Sequence, residues 1–120
     1  MDFSLNEEQQ LIVDTTRRFV QSEIVPLEDH LDPDAGSLEP ADQDRLVTTT
    51  KSMGFYGLDI PEEYGGPGLD TTTRALMAIE MSQHRAGLYN PCYGVFGGAG
   101  LAQLYEATDV QKERWLYPTL

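Results

Sequence analysis

The chain has 120 residues, of which 40% are hydrophobic and 23% charged, and 20 acids against 8 bases give it a net charge of −12. This composition is typical of a globular protein, and the length suits one domain with a single hydrophobic core. The acidic balance argues against nucleic-acid binding, which needs Lys and Arg at the phosphates, and no apolar run approaches the ~20 residues of a membrane helix. The single Cys92 excludes an internal disulfide framework and a cysteine-based zinc site. We therefore expect a cytoplasmic protein that binds neither nucleic acid nor a membrane.

A first helix is predicted to begin at Ser4 or Asn6, because each is followed three residues later by Glu or Gln, the spacing of a capping box. One face of this helix is largely apolar at spacings of three and four residues. That face consists of Ile12, Thr16, Phe19, Val20, Glu23 and Leu27. Pro26 lies within the pattern, and since a proline inside a helix costs about 3 kcal/mol, we expect a kink or an early end there.

An acidic segment follows, with seven acids and no base in residues 28–44. It also contains two prolines and a glycine, which are typical of turns. The spacing of its acids and glycine does not match a calcium-binding loop. We predict a solvated acidic loop, with His30 also in solvent.

A second helix is predicted after Pro40, with Leu46, Val47 and Met53 facing the core and Gly54 as its C-cap. Residues 55–69 contain four glycines and two prolines, which favours a long ordered loop over a helix. The loop is expected to pack on the core through its large apolar side chains. These are Phe55, Tyr56, Leu58, Ile60 and Tyr64.

A third helix is predicted to begin at Asp70, a favourable N-cap residue, and to end at Gly87. Glu80 and His84 lie one turn apart on it, and this spacing predicts a surface ion pair. The candidate core residues of this helix are Leu76, Met77, Ile79 and Ala86.

Two more helices complete the predicted fold. The fourth runs from Asn90, where a cap residue precedes a proline, to about Tyr105. The fifth begins at Thr108, whose spacing from Gln111 is that of a capping box, and ends by Pro118. No segment has the pattern of a strand ladder, so the predicted fold class is all-α: a bundle of about five helices with one long ordered Gly/Pro-rich loop.

Four segments carry a family resemblance that covers nearly the whole chain: residues 3–26, 53–70, 72–85 and 108–118. The second is the most specific and reads MGFYGLDIPEEYGGPGLD, in which Glu62 and Glu63 are interpreted as part of a structural turn. In this order the segments resemble the N-terminal helical domain of the acyl-CoA dehydrogenase family. The resemblance implies that residues 1–120 form this domain, without the middle β-domain and the C-terminal helical domain of the family.

The same resemblance implies a function: α,β-dehydrogenation of an acyl-CoA thioester by a flavoprotein. In the family, FAD and the catalytic glutamate belong mainly to the later domains. No catalytic, cofactor-binding or metal-binding residue is therefore assigned to this chain, and the chain alone is expected to be inactive. An electron-transfer flavoprotein as partner and a homo-oligomeric state are also implied. The alternative is a stand-alone helical module, derived from the family, that acts in binding or assembly; the intact mass of the native translation product would distinguish the two.

A glycine cluster lies within the predicted fourth helix and raises the question of a ligand site. Four glycines cost a helix roughly 3–4 kcal/mol relative to alanine, so the missing side chains need a reason. One explanation is close packing of another helix, and the other is space for a ligand. The resemblance supports the second, because the corresponding helix of the family lines the acyl-chain cavity. The predicted substrate-binding residues are Asn90, Gly94, Val95, Phe96, Gly97 and Gly98.

The two explanations predict opposite effects of Gly97→Ala on the free energy of unfolding. A glycine that only leaves room for a ligand would gain up to ~1 kcal/mol from higher helix propensity. A glycine needed for packing would lose ~1–3 kcal/mol. Cys92, with no second cysteine or base near it in the sequence, is interpreted as a small core or pocket residue.

Overall fold

The structure, a computed structural model, describes residues 1–86, 91–97 and 101–120 and contains helices and turns but no strand within them. The first helix, α1 (Glu7–Phe19), continues through a π-helical turn (Val20–Ile24) into α2 (Val25–Glu28). It is followed by α3 (Pro40–Ser52), α4 (Thr71–Met81) and α5 (Ala102–Tyr105). The last helix, α6 (Asp109–Gln111), continues as a second π-helical turn (Lys112–Leu116). The predicted all-α class of about five helical segments with one long ordered loop is confirmed. In the described part of the chain, no helix is long and apolar enough to cross a membrane.

Reciprocal capping boxes start both the first and the last helix. The Asn6 side chain accepts from the Gln9 amide at 2.8 Å, and the Gln9 side chain accepts from the Asn6 amide at 3.1 Å. Thr108 and Gln111 form the same box at α6. Each box satisfies backbone N–H groups that have no partner inside the helix. The sequence therefore located both starts correctly, with Asn6 rather than Ser4 as the first cap.

The π-helical turn explains how the first helix passes Pro26. The Val25 amide donates to the carbonyl of Val20, five residues back instead of four. This widened turn places Pro26 in the first turn of α2, where a missing N–H removes no helical hydrogen bond. The helix therefore continues to Glu28 without the early end that was one of the two expected outcomes.

Helix α3 ends as predicted, through Gly54 in the left-handed region at φ 72°. The amides of Gly54 and Phe55 donate to the carbonyls of Lys51 and Thr50, at 3.1 and 2.9 Å. This pair of bonds is a Schellman motif, in which the positive φ falls on the residue best able to adopt it. Met53, predicted to face the core, is 39% exposed.

The core forms where α1 and its continuation pack against α4, α3 and residues 92–96. The rings of Phe19 and Phe96 meet edge to face, with centroids 5.1 Å apart. The core residues are Ile12, Phe19, Val20, Ile24, Leu38, Leu46, Met77, Cys92, Tyr93, Val95 and Phe96. The prediction of Met77 in the core is confirmed, whereas Ile79 is 57% exposed and its prediction is wrong.

Glu80 is buried and pairs with the first helix. Both of its carboxylate oxygens accept from the guanidinium of Arg17, at 3.0 and 2.7 Å. This fork geometry is the favoured arrangement of Arg with a carboxylate and fixes α4 against α1. The predicted surface ion pair of Glu80 with His84 is therefore wrong, because His84 also has a different partner, Glu28.

The Gly/Pro-rich loop, residues 55–69, is anchored as predicted. All five of its large apolar side chains are half-buried, and Phe55 and Leu58 pack against the core. Tyr64 stacks on Tyr105 with ring centroids 4.8 Å apart. Glu62 and Glu63 lie exposed in the 3₁₀ turn Glu62–Tyr64, which agrees with their interpretation as a structural turn.

The predicted fourth helix is wrong over the described residues 91–97. Pro91–Gly94 forms a 3₁₀ turn, and Cys92 and Tyr93 have positive φ of 49° and 56°. Gly94 and Gly97 also have positive φ, 77° and 70°. These two glycines are therefore explained by a left-handed backbone and not by a cost inside a helix. Gly87, Asn90, Gly98 and Gly100 lie outside the described residues, and α4 ends at Met81.

Glu28, at the end of α2, joins three separate parts of the chain. Its Oε1 accepts from the hydroxyl of Tyr93 at 2.6 Å and lies 3.0 Å from Nδ1 of His84. Its Oε2 accepts from the backbone amide of Arg85 at 3.0 Å. The side chain is 9% exposed, so the first residue of the predicted solvated acidic segment is buried instead. His30, by contrast, is exposed as predicted.

The hydrogen bonds around His84 define its tautomer. An ionised carboxylate can only accept, so Nδ1 of His84 carries the proton that is shared with Glu28. The Ala86 amide is 3.2 Å from the same nitrogen, but a protonated Nδ1 has no lone pair to accept from it. Nε2 accepts from the Cys92 amide at 2.6 Å. His84 is thus a neutral, fully buried link between Glu28 and residues 91–97.

Burial opposes ionisation of Glu28, but the hydrogen bonds from Tyr93, Arg85 and His84 outweigh it, so the pKa of Glu28 is lower than its ordinary value of 4.5. A lowered folded-state pKa means that the ionised group stabilises the fold fully above about pH 4.5. This stabilisation is lost as the pH falls through the folded-state pKa.

Gly97→Ala is expected to lower the free energy of unfolding by ~1–3 kcal/mol. An added Cβ would lie 2.7–2.9 Å from ring atoms of Tyr56, in a backbone with φ of 70°. Gly36→Ala is the matched control, since its Cβ would meet no atom within 4 Å. Urea unfolding of both variants measures the effect. A stability gain in Gly97→Ala would contradict the geometry.

Glu28→Gln is expected to lower the free energy of unfolding at pH 7 by ~1–3 kcal/mol, because the NH₂ group that replaces one carboxylate oxygen can only donate, and the donor that faces it loses its acceptor. The difference from the unmodified chain should shrink below pH 4.5, as the native carboxylate protonates. Urea unfolding from pH 7 to pH 3.5 tests this, with Asp29→Asn, at the exposed neighbouring position, as control. A difference that is independent of pH would show that ionised Glu28 is not the stabilising species.

Candidate functional site

An apolar pocket of about 230 Å³ lies between α4, the start of the Gly/Pro-rich loop and residues 91–97. Asp59 and Arg74 are the two charged residues of its lining, and both are exposed. The lining residues are Leu58, Asp59, Arg74, Met77, Ala78, Met81, Pro91, Gly94, Phe96 and Gly97. A concave apolar surface with few polar groups is the usual form of a small-molecule site.

Three of the six predicted substrate-binding residues, Gly94, Phe96 and Gly97, lie on this lining. Val95 does not, since it is fully buried in the core. Asn90 and Gly98 lie outside the described residues. The structure thus brings half of the predicted set to one pocket, and their contact with substrate stays a prediction.

The α4 side of the pocket was not among the residues predicted for substrate binding. Arg74, Met77, Ala78 and Met81 line it at spacings of three and four residues, which place side chains on one helical face. This spacing was available in the sequence. Of the four residues only Met77 was predicted to be buried, and it was assigned to the core rather than to a pocket.

Three hydrogen bonds position residues 94–97 of the pocket wall, which consists of residues 91–97. The Gly57 amide donates to the carbonyl of Phe96 at 2.7 Å, which ties the loop to the wall. The Thr50 hydroxyl donates to the carbonyl of Val95 at 2.6 Å. The Gly97 amide closes the turn by donating to Gly94 at 2.9 Å. The wall is therefore held from α3, from the loop and from within.

The titratable residues behind this wall are not suited to catalysis. Burial, together with the charge of Glu28, raises the pKa of the Cys92 thiol to about 12, so the nucleophilic thiolate is absent at neutral pH. Burial and the hydrogen bond to Glu28 also raise the pKa of Tyr93. Among the described residues, no group of three or more His, Cys, Asp or Glu could hold a metal ion. The pocket is suited to binding an apolar group.

The pocket does not fit FAD, the cofactor that the family resemblance implies. Its volume of about 230 Å³ is below the ~300–1,000 Å³ of sites for drug-sized ligands, and FAD is larger than these. We therefore assign no flavin contact to these residues.

Comparison with known proteins agrees with the fold and the loop motif. The family model for the acyl-CoA dehydrogenase N-terminal domain matches residues 6–120. (R)-benzylsuccinyl-CoA dehydrogenase of Thauera aromatica is 39% identical over 95 residues, which are 72% of this chain and 23% of that protein. A probable acyl-CoA dehydrogenase of Bacillus subtilis is 32% identical over 111 residues, or 92% of this chain and 18% of that protein.

A relative named for a different activity, the 3-(aryl)acrylate reductase of Clostridium sporogenes, is 31% identical over 116 residues, or 95% of this chain and 29% of that protein. The chain spans less than a third of the length of each of these three relatives. The match to the family model nevertheless covers nearly every residue. The chain belongs to the acyl-CoA dehydrogenase family and corresponds to its N-terminal domain.

Proposed function

We propose that this chain supplies one wall of the acyl-chain pocket in a flavin-dependent acyl-CoA dehydrogenase. The observation that carries the proposal is the apolar pocket lined by Gly94, Phe96 and Gly97, three of the residues predicted for that role. Two of the three relatives described above are named as dehydrogenases, and the name of one of them specifies its acyl-CoA. Their names support the reaction class and the thioester substrate.

In this proposal the residues of the chain bind and orient the acyl group and do not react with it. Met77, Met81 and Phe96 would exclude water from the chain of methylene groups. A flavin, to which no described residue of this pocket is assigned, would supply the redox chemistry. An electron-transfer flavoprotein as electron acceptor, a homo-oligomeric enzyme and a cytoplasmic location belong to the same proposal.

The left-handed glycines give this wall its shape. A Cβ at Gly97 would point at the ring of Tyr56, so the backbone turns here without placing a side chain on that side. The missing side chain of Gly97 therefore makes room for the ring of Tyr56, which is the packing explanation, while Gly97 itself lies on the pocket lining. Each methylene that is buried contributes about 0.8 kcal/mol, or roughly a fourfold gain in affinity.

Ala78→Leu is expected to weaken binding of acyl-CoA by filling the pocket from α4. Ala75→Leu is the matched control, because Ala75 is also exposed on α4 but does not line the pocket. Calorimetric titration with free CoA, butyryl-CoA and hexanoyl-CoA measures the contribution of the acyl group. We expect affinity to rise with acyl length. In Ala78→Leu, the ratio of the affinity for hexanoyl-CoA to the affinity for free CoA should be lower about tenfold or more. Equal affinity for CoA and its thioesters, or equal effects of both variants, would contradict the proposal.

Whether the protein is a dehydrogenase or a binding or assembly module is tested on the complete native translation product. A dehydrogenase contains flavin, whose absorbance near 450 nm (about the maximum of oxidised flavins) falls when a substrate acyl-CoA is added. A binding or assembly module shows no such bleaching.

A further inference from the structure

His84 connects the pocket wall to the end of the N-terminal helical segment. Its Nε2 accepts from the Cys92 amide at 2.6 Å, and its Nδ1 shares a proton with Glu28 at 3.0 Å. Cys92 is next to Pro91 and two residues before Gly94, which both line the pocket. The imidazole therefore holds the start of the wall in place.

This arrangement requires a neutral imidazole. A histidine that is protonated on both nitrogens has two donors and no acceptor. The proton added to Nε2 would point at the N–H of Cys92, so two donors would face each other 2.6 Å apart. The bond between His84 and Cys92 and the protonated state of His84 exclude one another.

The groups around His84 determine how readily its imidazole takes up a proton. The described titratable or charged groups near it are Glu28 on α2, Cys92 and Tyr93 on the wall, and its neighbour Arg85. Glu28 stays ionised below neutral pH, because its pKa is lowered, and it attracts an imidazolium. Arg85 lies beside Glu28 and Tyr93 and opposes that charge in part. Glu80, one helical turn back on α4, is engaged by Arg17.

We propose that His84 is an acid-sensitive latch: protonation of Nε2 breaks its bond to the Cys92 amide and releases Pro91 and Cys92, the start of the pocket wall, while residues 94–97 stay held by Thr50 and Gly57. The imidazolium then remains with Glu28, while Pro91, which lines the pocket, moves away from α4. The release itself is a property of this chain, and its consequence for acyl binding rests on the proposed function. Mild acid would open the pocket and neutral pH would close it.

If opening takes up one proton, the ratio of open to closed rises by at most tenfold for each unit by which the pH falls. A rise of about tenfold between pH 7.5 and pH 5.5 lies within this limit. The attraction of Glu28 for the imidazolium increases this factor.

Cys92, the single cysteine and fully buried, reports the opening. The probe is 4,4′-dithiodipyridine, which labels thiols at acid as well as neutral pH. Labelling rates of the 120-residue chain are divided by the rates in urea at the same pH, which removes the titration of the thiol itself. We expect the normalised rate to rise about tenfold from pH 7.5 to pH 5.5.

His84→Gln and His30→Gln form the matched pair of variants. Gln at position 84 offers a carbonyl to the Cys92 amide and an amide to Glu28, and it does not titrate. Its normalised labelling rate should be the same at both pH values. His30→Gln removes the other histidine of the chain, which is exposed, and should keep the tenfold rise. A constant rate in the unmodified chain, or an equal rise in His84→Gln, would overturn the proposal.

If His84→Gln does not fold, amide hydrogen exchange of the unmodified chain provides a second test. Protection of the Cys92 amide should fall about tenfold over the same pH range. The Phe55 amide, which donates to Thr50 at the end of α3, should keep its protection. An equal loss at both amides would indicate general unfolding and would refute a local latch. Neither measurement uses acyl-CoA, so failure of the latch is distinguishable from failure of the proposed function.

Discussion

The buried carboxylate of Glu28 is the constraint on which the arrangement around the pocket depends. A carboxylate removed from water needs donors for its oxygens, and the fold brings it three: a hydroxyl, an imidazole and a backbone amide. These donors come from two segments distant in sequence, residues 84–85 just after α4 and the pocket wall. The position of Glu28 at the end of α2 therefore determines where both segments lie. Arg17 and Glu80 add a second link between the same N-terminal helical segment and α4.

The features predicted correctly from the sequence are those that depend on neighbouring residues. The capping boxes at Asn6 and Thr108 and the C-terminal motif at Gly54 each involve contacts within a few positions. Such contacts have nearly the same geometry wherever they occur, so spacing alone identifies them. The loop of residues 55–69 was predictable for a related reason, since large apolar side chains among glycines and prolines are stable only when packed.

The predictions that were wrong depend on contacts between distant parts of the chain. Glu80 and His84 have a spacing that suits a helical ion pair, but each is paired with a residue more than 50 positions away. The wall of the pocket was read as a helix because a cap and a proline precede it. Its left-handed turns, however, are maintained by α3, the loop and His84, none of which a local pattern reveals. This explains why the glycines were correctly singled out while their conformation was not.

The π-helical turn has a consequence for the alignment of the two ends of the first helical segment. Relative to a regular helix, its extra residue rotates everything before the turn by about 100° with respect to everything after it. The turn therefore changes the direction of the Glu28 carboxylate relative to the packing face of α1, which includes Phe19 and Arg17. A continuous α-helix would not give this relative orientation. Deletion of one residue between Val20 and Ile24 would restore the regular helix and misalign these two sets of contacts. The length of this turn therefore matters more for the fold than the identity of its exposed side chains.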